Sequence, residues 1–465
     1  MVIEIILTIL AVLLVGFLIA KKVNATIALL IGGLLILMIA PLLGHTGFGN
    51  FNVNPSGNAW IDQFAFMGQI LATSTAGVGM IIMVLFGFAA YMTHIGANQM
   101  ATYLLTRPLL RLRVKYLLVP FTFWLGNLMS LAVPSASALA VLLVATVLPA
   151  LIAAGLKPIT AAAVIATTAT IMPTPLGGDN VIAAGLLGIP LDEYVFGMHA
   201  LISIPTLLVM GIVHFFWQQY MDRRELAAGR DMGELATEDT PDDHIATDAP
   251  RYYAVFPILP LLFVLIPFLI RQFTPFNLNV ELIPGTLIAL LIAVIFQMIR
   301  TRSMVNPLED MMIFFKGMGT GFFTVVALVV AANILVEAII QIGVVAALGD
   351  AVAGMHGAGF ILFLGFSGAM FILALLTGGV APFFSLVNVA PPVAAAAGIN
   401  GAILTLPMQF IGNLARAMSP VAAVVLIVAA AVKVNVGQLI ARTAVPMMVG
   451  IIMSMILTWF IVGAY

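Results

Sequence analysis

The chain has 465 residues, 63% of them hydrophobic and 8% charged, with a mean hydropathy of +1.18. That balance lies outside the range of a water-soluble globular protein and describes a polytopic membrane protein. A net charge of −1 without basic clusters excludes nucleic acid as a partner, and the absence of cysteine excludes disulfides, thiolate metal sites and cysteine nucleophiles.

With about twenty apolar residues needed per crossing, spanning helices are expected at about 3–20, 25–43, 76–95, 159–189, 198–217, 252–270, 283–300, 317–340, 400–432 and 443–463. The first of these lacks a basic leader and a small-residue cleavage site, so it reads as a retained helix. Two further apolar stretches, 117–154 and 358–397, are too long for one crossing and are interrupted in the middle; they read as re-entrant hairpins. One side of the membrane then collects 16 of the 18 basic residues, with Arg271 on the other side and Arg416 on neither. The positive-inside rule makes the basic side the cytoplasm of a bacterial inner membrane and puts both termini in the periplasm. The segment 221–251 holds 13 of the 37 charged residues and reads as a mobile cytoplasmic linker.

The linker separates two halves that match in order. Pro149 and Gly155 correspond to Pro392 and Gly398 at a shift of 243, Pro205 to Pro446 at 241, and Trp217 to Trp459 at 242. The charge assignment makes helix 76–95 run inward and its counterpart 317–340 outward, so the expected fold is all-α with an inverted repeat. The first repeat covers 1–220, with scaffold helices over 1–95, hairpin 117–154, broken helix 159–189 and last helix 198–217. The second covers 252–465, with scaffold helices over 252–340, hairpin 358–397, broken helix 400–432 and last helix 443–463.

The interruptions carry the chemistry. Hairpin one turns near Val133-Pro134-Ser135-Ala136-Ser137 and hairpin two near Thr377-Gly378-Gly379; the helix breaks lie in TATIMPTPLGGDN and GNLARAMSP. Backbone that leaves helical pairing at membrane depth must be buried in protein or line a wet cavity. Helix halves also expose orphan N–H groups at their starts, and several starts aimed at one point favour an anion.

Arg416 lies about sixteen residues into a segment of about thirty-three, where an arginine costs about 2.5–3.5 kcal/mol on insertion scales, so it needs a partner. Its planar fork suits a carboxylate. The alternative is a permanent pair with Asp179 or a cap on helix carbonyls. Asp179 is the candidate for a coupling proton, with an N-cap role for the half-helix beginning near Asn180 as its alternative. The substrate-binding candidates are Ser135, Ser137, Thr174, Gly178, Thr377, Gly378, Gly379, Asn413, Arg416 and Ser419. For the small polar residues among them, helix–helix hydrogen bonding is the competing role. His94 reads as an interfacial residue; His199, His214 and His356 have no ligand-like spacing, and no metal or other cofactor is expected. An intramembrane enzyme is disfavoured because LGGDN lacks the Gly-x-Gly-Asp spacing and no HExxH is present. A passive channel suits two broken inverted halves less well than alternating access does.

Four segments, GFAAYMTHIGANQM (87–100), MSLAVPSASALAVLLVAT (129–146), HFFWQQYMD (214–222) and NLARAMSPVAAVV (413–425), resemble the anaerobic C4-dicarboxylate carrier family of the DcuC type. The similarity runs along nearly the whole chain. It implies a secondary carrier of fumarate, succinate, malate or aspartate, working by exchange or proton-coupled transport. It also implies a homodimer in the bilayer, with hairpins riding on a mobile domain in an elevator motion and with 96–116 and 341–356 as arms joining it to the scaffold. Sodium-coupled relatives carry Ser-Asn-Thr at the hairpin tips, where this chain has Pro134-Ser135-Ala136 and Thr377-Gly378-Gly379, which argues against sodium. A tricarboxylate, a sugar acid or an acidic amino acid on the same scaffold is the nearest rival substrate.

Overall fold

The computed structural model describes residues 2–21, 23–49, 51–106, 115–133, 135–235, 248–276, 278–345, 347 and 357–463. Among the described residues the regular structure is all helical, without a strand. Pro134, His356 and much of both expected arms lie outside them.

The first half contains α1 (Val2–Ala20), α2 (Ala25–Ile39), α3 (Ala59–Ser74), α4 (Met80–His94), α5 (Ala97–Thr106), α6 (Leu118–Met129), α7 (Ala136–Ala153), α8 (Pro158–Ala166), α9 (Gly178–Leu187) and α10 (Ala200–Ala227). The second contains α11 (Leu259–Phe273), α12 (Leu282–Thr301), α13 (Val305–Glu309), α14 (Met311–Gly321), α15 (Ala327–Gln341), α16 (Ala358–Thr377), α17 (Ala381–Leu386), α18 (Ala390–Ala396), α19 (Ala402–Ala415), α20 (Ala423–Ala431) and α21 (Val436–Val462).

Among the described residues ten helices are long and apolar enough to cross a membrane, and they match the ten expected only in part. Segment 159–189 is divided, because its helix stops at Ala166 and restarts at Gly178; the expected first span is present as the 19-residue α1, and α7 and α16 join the set. The helix expected at 76–95 begins much earlier, because α3 runs through a wide π-type turn at Thr75–Gly79 into α4. Asp62, Gln63 and Gln69 lower the hydropathy of α3 and hid it, although Gln63 is fully buried. At 1.5 Å per residue the 36 residues from Ala59 to His94 would span about 54 Å, more than a bilayer core, and the kink at Gly77 bends them within it.

Small residues set the helix contacts between the halves. A Cβ on Gly317 would stand 2.7 Å from the Gly87 Cα and 2.8 Å from the Ala90 Cβ, so α4 and α14 meet backbone to backbone. They run antiparallel: Gly79 lies against Val326 at one end, and His94 pairs with Asp310 at 3.3 Å at the other. Helices α10 and α21 are antiparallel too: Gly450 lies against the Met210 side chain towards one end, and Gln218 Nε2 donates to the Arg442 carbonyl (3.0 Å) towards the other.

Arg442 was assigned from sequence to the cytoplasmic side as one of the topological charges; its side chain is 0% exposed. It donates to Asp222 Oδ1 (2.6 Å), Gln218 Oε1 (3.2 Å) and Thr160 Oγ1 (2.9 Å), and pairs with Glu225; Tyr116 donates to the other Asp222 oxygen (2.8 Å). The linker expected over 221–251 therefore begins later than its charge suggests, because Asp222 and Glu225 belong to α10 and are buried against Arg442. Residues beyond α10 also dock. The Met232 carbonyl accepts from Ile159 N (3.1 Å), Glu234 N donates to the Val432 carbonyl (3.1 Å), and Lys433 pairs with Glu234 at 3.0 Å.

Candidate functional site

Four interruptions surround one cavity of about 600 Å³. The first is the turn between α6 and α7, where Ser135 caps α7 by accepting from Ala138 N at 3.4 Å. The second is the non-helical run 167–177, forced by Pro173 and Pro175. Its backbone is satisfied locally, as burial requires: Asn127 of α6 accepts from Thr170 N (2.9 Å) and Thr170 Oγ1 (2.8 Å) through one carboxamide oxygen. Ala169 in this run has φ +54°, rare for a residue with a side chain, which turns its carbonyl toward Arg416.

The third interruption is the tip after α16, where Gly378 has φ +74° and a Cβ would stand 2.7 Å from Ala422 N. Only glycine fits both that backbone conformation and that approach. The fourth is the break between α19 and α20, a tight turn at Arg416–Met418 followed by a second turn in which Ala422 N donates to the Ser419 carbonyl (3.3 Å).

These breaks point the starts of α7, α9 and α20 at the cavity. Ser135 to Ala138, Gly177 to Asn180, and Ala423 with Val424 all line it. The starts of α9 and α20 carry no side-chain cap, so their first N–H groups remain available. Arg416 lines the same space. Among the described residues its guanidinium donates one bond, to the Ala169 carbonyl, and forms no ion pair with Asp179. Of the two sequence alternatives to a ligand role, the structure realises the carbonyl cap and leaves the remaining N–H donors for the cavity.

Asp179 does not cap α9, whose N-cap is Gly177; it sits in the first turn. Its Oδ2 accepts from Asn413 Nδ2 (2.7 Å) and Gln409 Nε2 (3.0 Å), two amides one turn apart on α19. Gln409 also donates to Asn180 Oδ1 (2.8 Å) and accepts from the Tyr194 hydroxyl, while Asn180 donates to the Thr174 carbonyl (2.9 Å). This network ties the two broken helices together across the halves.

Of the sequence-selected residues, Ser135, Ser137, Thr174, Gly178, Asp179, Gly378, Gly379, Asn413 and Arg416 line the cavity. Thr377 and Ser419 do not. Thr377 Oγ1 donates back to the Leu373 carbonyl (2.9 Å) on the exposed side of α16, and Ser419, 0% exposed, donates to the Leu375 carbonyl (2.6 Å). Helix periodicity turns the first away, and the second pins the hairpin tip to the break.

Sequence reasoning passed over His199, Gln409, Tyr194 and Asn127. His199 lines the cavity at the end of a wide turn, Glu193–His199, and lies against the Phe410 ring at 4.7 Å. Gln409 and Asn413 were legible as amides four apart in an otherwise apolar helix, a pattern that places both on one face. Nothing in the spacing of His199 or Asn127 connects them to the breaks they face.

A family model described as a C4-dicarboxylate anaerobic carrier, DcuC, matches residues 3–463. The chain is 35% identical over 441 residues to the anaerobic C4-dicarboxylate transporter DcuC of Escherichia coli strain K12, covering 95% of this chain and 93% of that protein. It is 33% identical over 450 residues to the probable anaerobic C4-dicarboxylate transporter DcuC of Vibrio cholerae, covering 96% and 95%. A putative uncharacterized transporter of Haemophilus influenzae is 26% identical over 201 residues, covering 43% of this chain and 70% of that one. With a cavity built from broken helices at its centre and a match over almost its whole length, this polytopic membrane protein belongs to the DcuC family of anaerobic C4-dicarboxylate carriers, a family of transporters and not of enzymes.

Proposed function

We propose that the protein is a secondary active carrier of C4-dicarboxylates such as succinate and fumarate, working by exchange or proton-coupled transport in a bacterial inner membrane. The observation that carries this reading is the convergence of three helix starts and the free donors of Arg416 on one cavity. Each start contributes roughly half a positive charge, and a guanidinium fork takes a carboxylate bidentately. Arg416 binds one carboxylate; the α7 start with Ser135 and Ser137 binds the other. Asp179, beside them, carries a coupling proton.

The inverted repeat gains support from the order of elements. The kinked pair α3–α4, with its wide turn at 75–79, stands 247 residues from the pair α14–α15, with its wide turn at 322–326. Hairpin, broken helix and long last helix follow each in the same order, and α10 packs antiparallel to its counterpart α21, as inversion requires. In this reading α1–α4 and α11–α15 form a scaffold. The hairpins, broken helices, α10 and α21 move against it as an elevator within a homodimer, and both termini are periplasmic.

The test is counterflow of labelled succinate into proteoliposomes, native protein against Arg416→Ala. The expected result is saturable counterflow that the substitution lowers at least about a hundredfold, the worth of two charge-assisted hydrogen bonds at about 1.5–3 kcal/mol each. Undiminished counterflow in the variant would leave Arg416 a cap for Ala169 and move the anion site. Stronger competition by citrate or gluconate than by fumarate would replace the substrate.

A further inference from the structure

We infer that His199 is a second proton acceptor of the substrate cavity, and that the carrier takes up two protons with each dianion, one on His199 and one on Asp179. The inference rests on the dicarboxylate reading above and deepens it to a stoichiometry.

His199 is 2% exposed and lines the cavity. Its Nδ1 lies 3.1 Å from Ser203 Oγ, one turn along α10, so Nε2 is the nitrogen left for the cavity. The ring is wedged against Phe410, which fixes its orientation. Few charges face it. Asp179 comes from the first turn of α9 and Arg416 from the end of α19, both on the cavity wall. On its own segment, Tyr194 donates its hydroxyl to Gln409, Asp192 is paired with Arg271, and Glu193 is exposed. A histidine here is a proton site that, among the described residues, has no ion pair to occupy it.

For proton-coupled uptake of a dianion, charge balance calls for such a site. Empty, the cavity holds Arg416 and Asp179 and is formally neutral; a bound dianion leaves it at −2. Helix starts stabilise the anion but add no net charge. Carrying the loaded site inward against an inside-negative potential would still cost about 2.3 kcal/mol per charge per 100 mV. One proton on Asp179 leaves −1, and a second on His199 brings the loaded site to zero. Both protons come from solvent with the substrate and leave with it. Asp179 alone cannot achieve this, and the other polar groups on the wall are amides and hydroxyls.

The test is calorimetric titration of the purified full-length protein with succinate at pH 7.5 in buffers of different ionisation enthalpy, which counts protons taken up per succinate bound. The native protein is expected to take up close to two, and His199→Gln and Asp179→Asn close to one each. A native count of one or fewer, or a His199→Gln count equal to the native, would overturn the inference.

Ser203→Ala gives an independent check should the histidine variant fail to bind. As the pH falls, and with the count corrected for succinate's own protonation, any proton bound to His199 before substrate arrives lowers the count. Losing the Nδ1 partner is expected to shift the midpoint of that fall, and an unmoved midpoint counts against His199. Absence of succinate binding by the native protein would instead refute the dicarboxylate reading; binding with the wrong count refutes this inference alone.

Discussion

Replacing Arg442 by methionine is expected to destabilise the protein by about 3–5 kcal/mol, the cost of leaving a buried charge without its partner. Arg442 is 0% exposed, and the carboxylates of Asp222 and Glu225 that it holds are 1% and 4% exposed. Methionine fills similar volume but donates nothing, so two carboxylates would remain buried, one supported only by Thr160 and Tyr116. The loss falls on a junction of α8, α10 and α21. At less than about 2–4 °C per kcal/mol for a chain of this size, the melting temperature in detergent should fall by about 5–10 °C. The discriminating variant is the triple replacement Arg442→Met with Asp222→Asn and Glu225→Gln, which removes the charges together and should regain more than half of the loss. If the triple variant melts no higher than Arg442→Met alone, uncompensated charge is not the cause. The cost would then be one of packing.

Other substitutions test the site piece by piece. Arg416→Lys keeps the charge but loses the fork, and should raise the KM for succinate about tenfold, between the native protein and Arg416→Ala, in proteoliposome uptake. Gly378→Ala places a Cβ 2.7 Å from Ala422 N at φ +74° and should lower transport severely while leaving far-ultraviolet circular dichroism unchanged; native-like transport would mean that the tip does not rest on the break. Asn127→Leu orphans the N–H and hydroxyl of Thr170 and should cost about 2–3 kcal/mol of stability, read as a lower melting temperature, whereas Thr377→Ala, outside the cavity, should leave the succinate KM within about twofold of native.

Much of this protein is legible in its sequence because the bilayer imposes long-period rules. Spans follow from runs of about twenty apolar residues, and the expected sidedness follows from where Lys and Arg collect. The breaks are marked by proline and glycine, and an arginine at membrane depth is costly enough to announce a partner. Arg416, Asn413, Asp179 and the tip serines could therefore be named without coordinates, and nine of the sequence-selected positions meet at one cavity.

Only the tertiary structure decided which neighbouring polar groups face that cavity. Ser419 and Asn413 lie six residues apart, yet one is buried against a carbonyl of α16 and the other holds Asp179, because a break resets the helical phase that periodicity arguments depend on. His199 and Gln409 come from different halves of the chain, and their meeting with Asp179 depends on how the halves pack. Arg442 shows the same limit: its charge is plain in the sequence, but its burial depends on two carboxylates more than two hundred residues away. Composition and period determine where a chain crosses the membrane; which polar atoms are left unpaired, and so free to bind, is settled when distant segments compete for the same donors and acceptors.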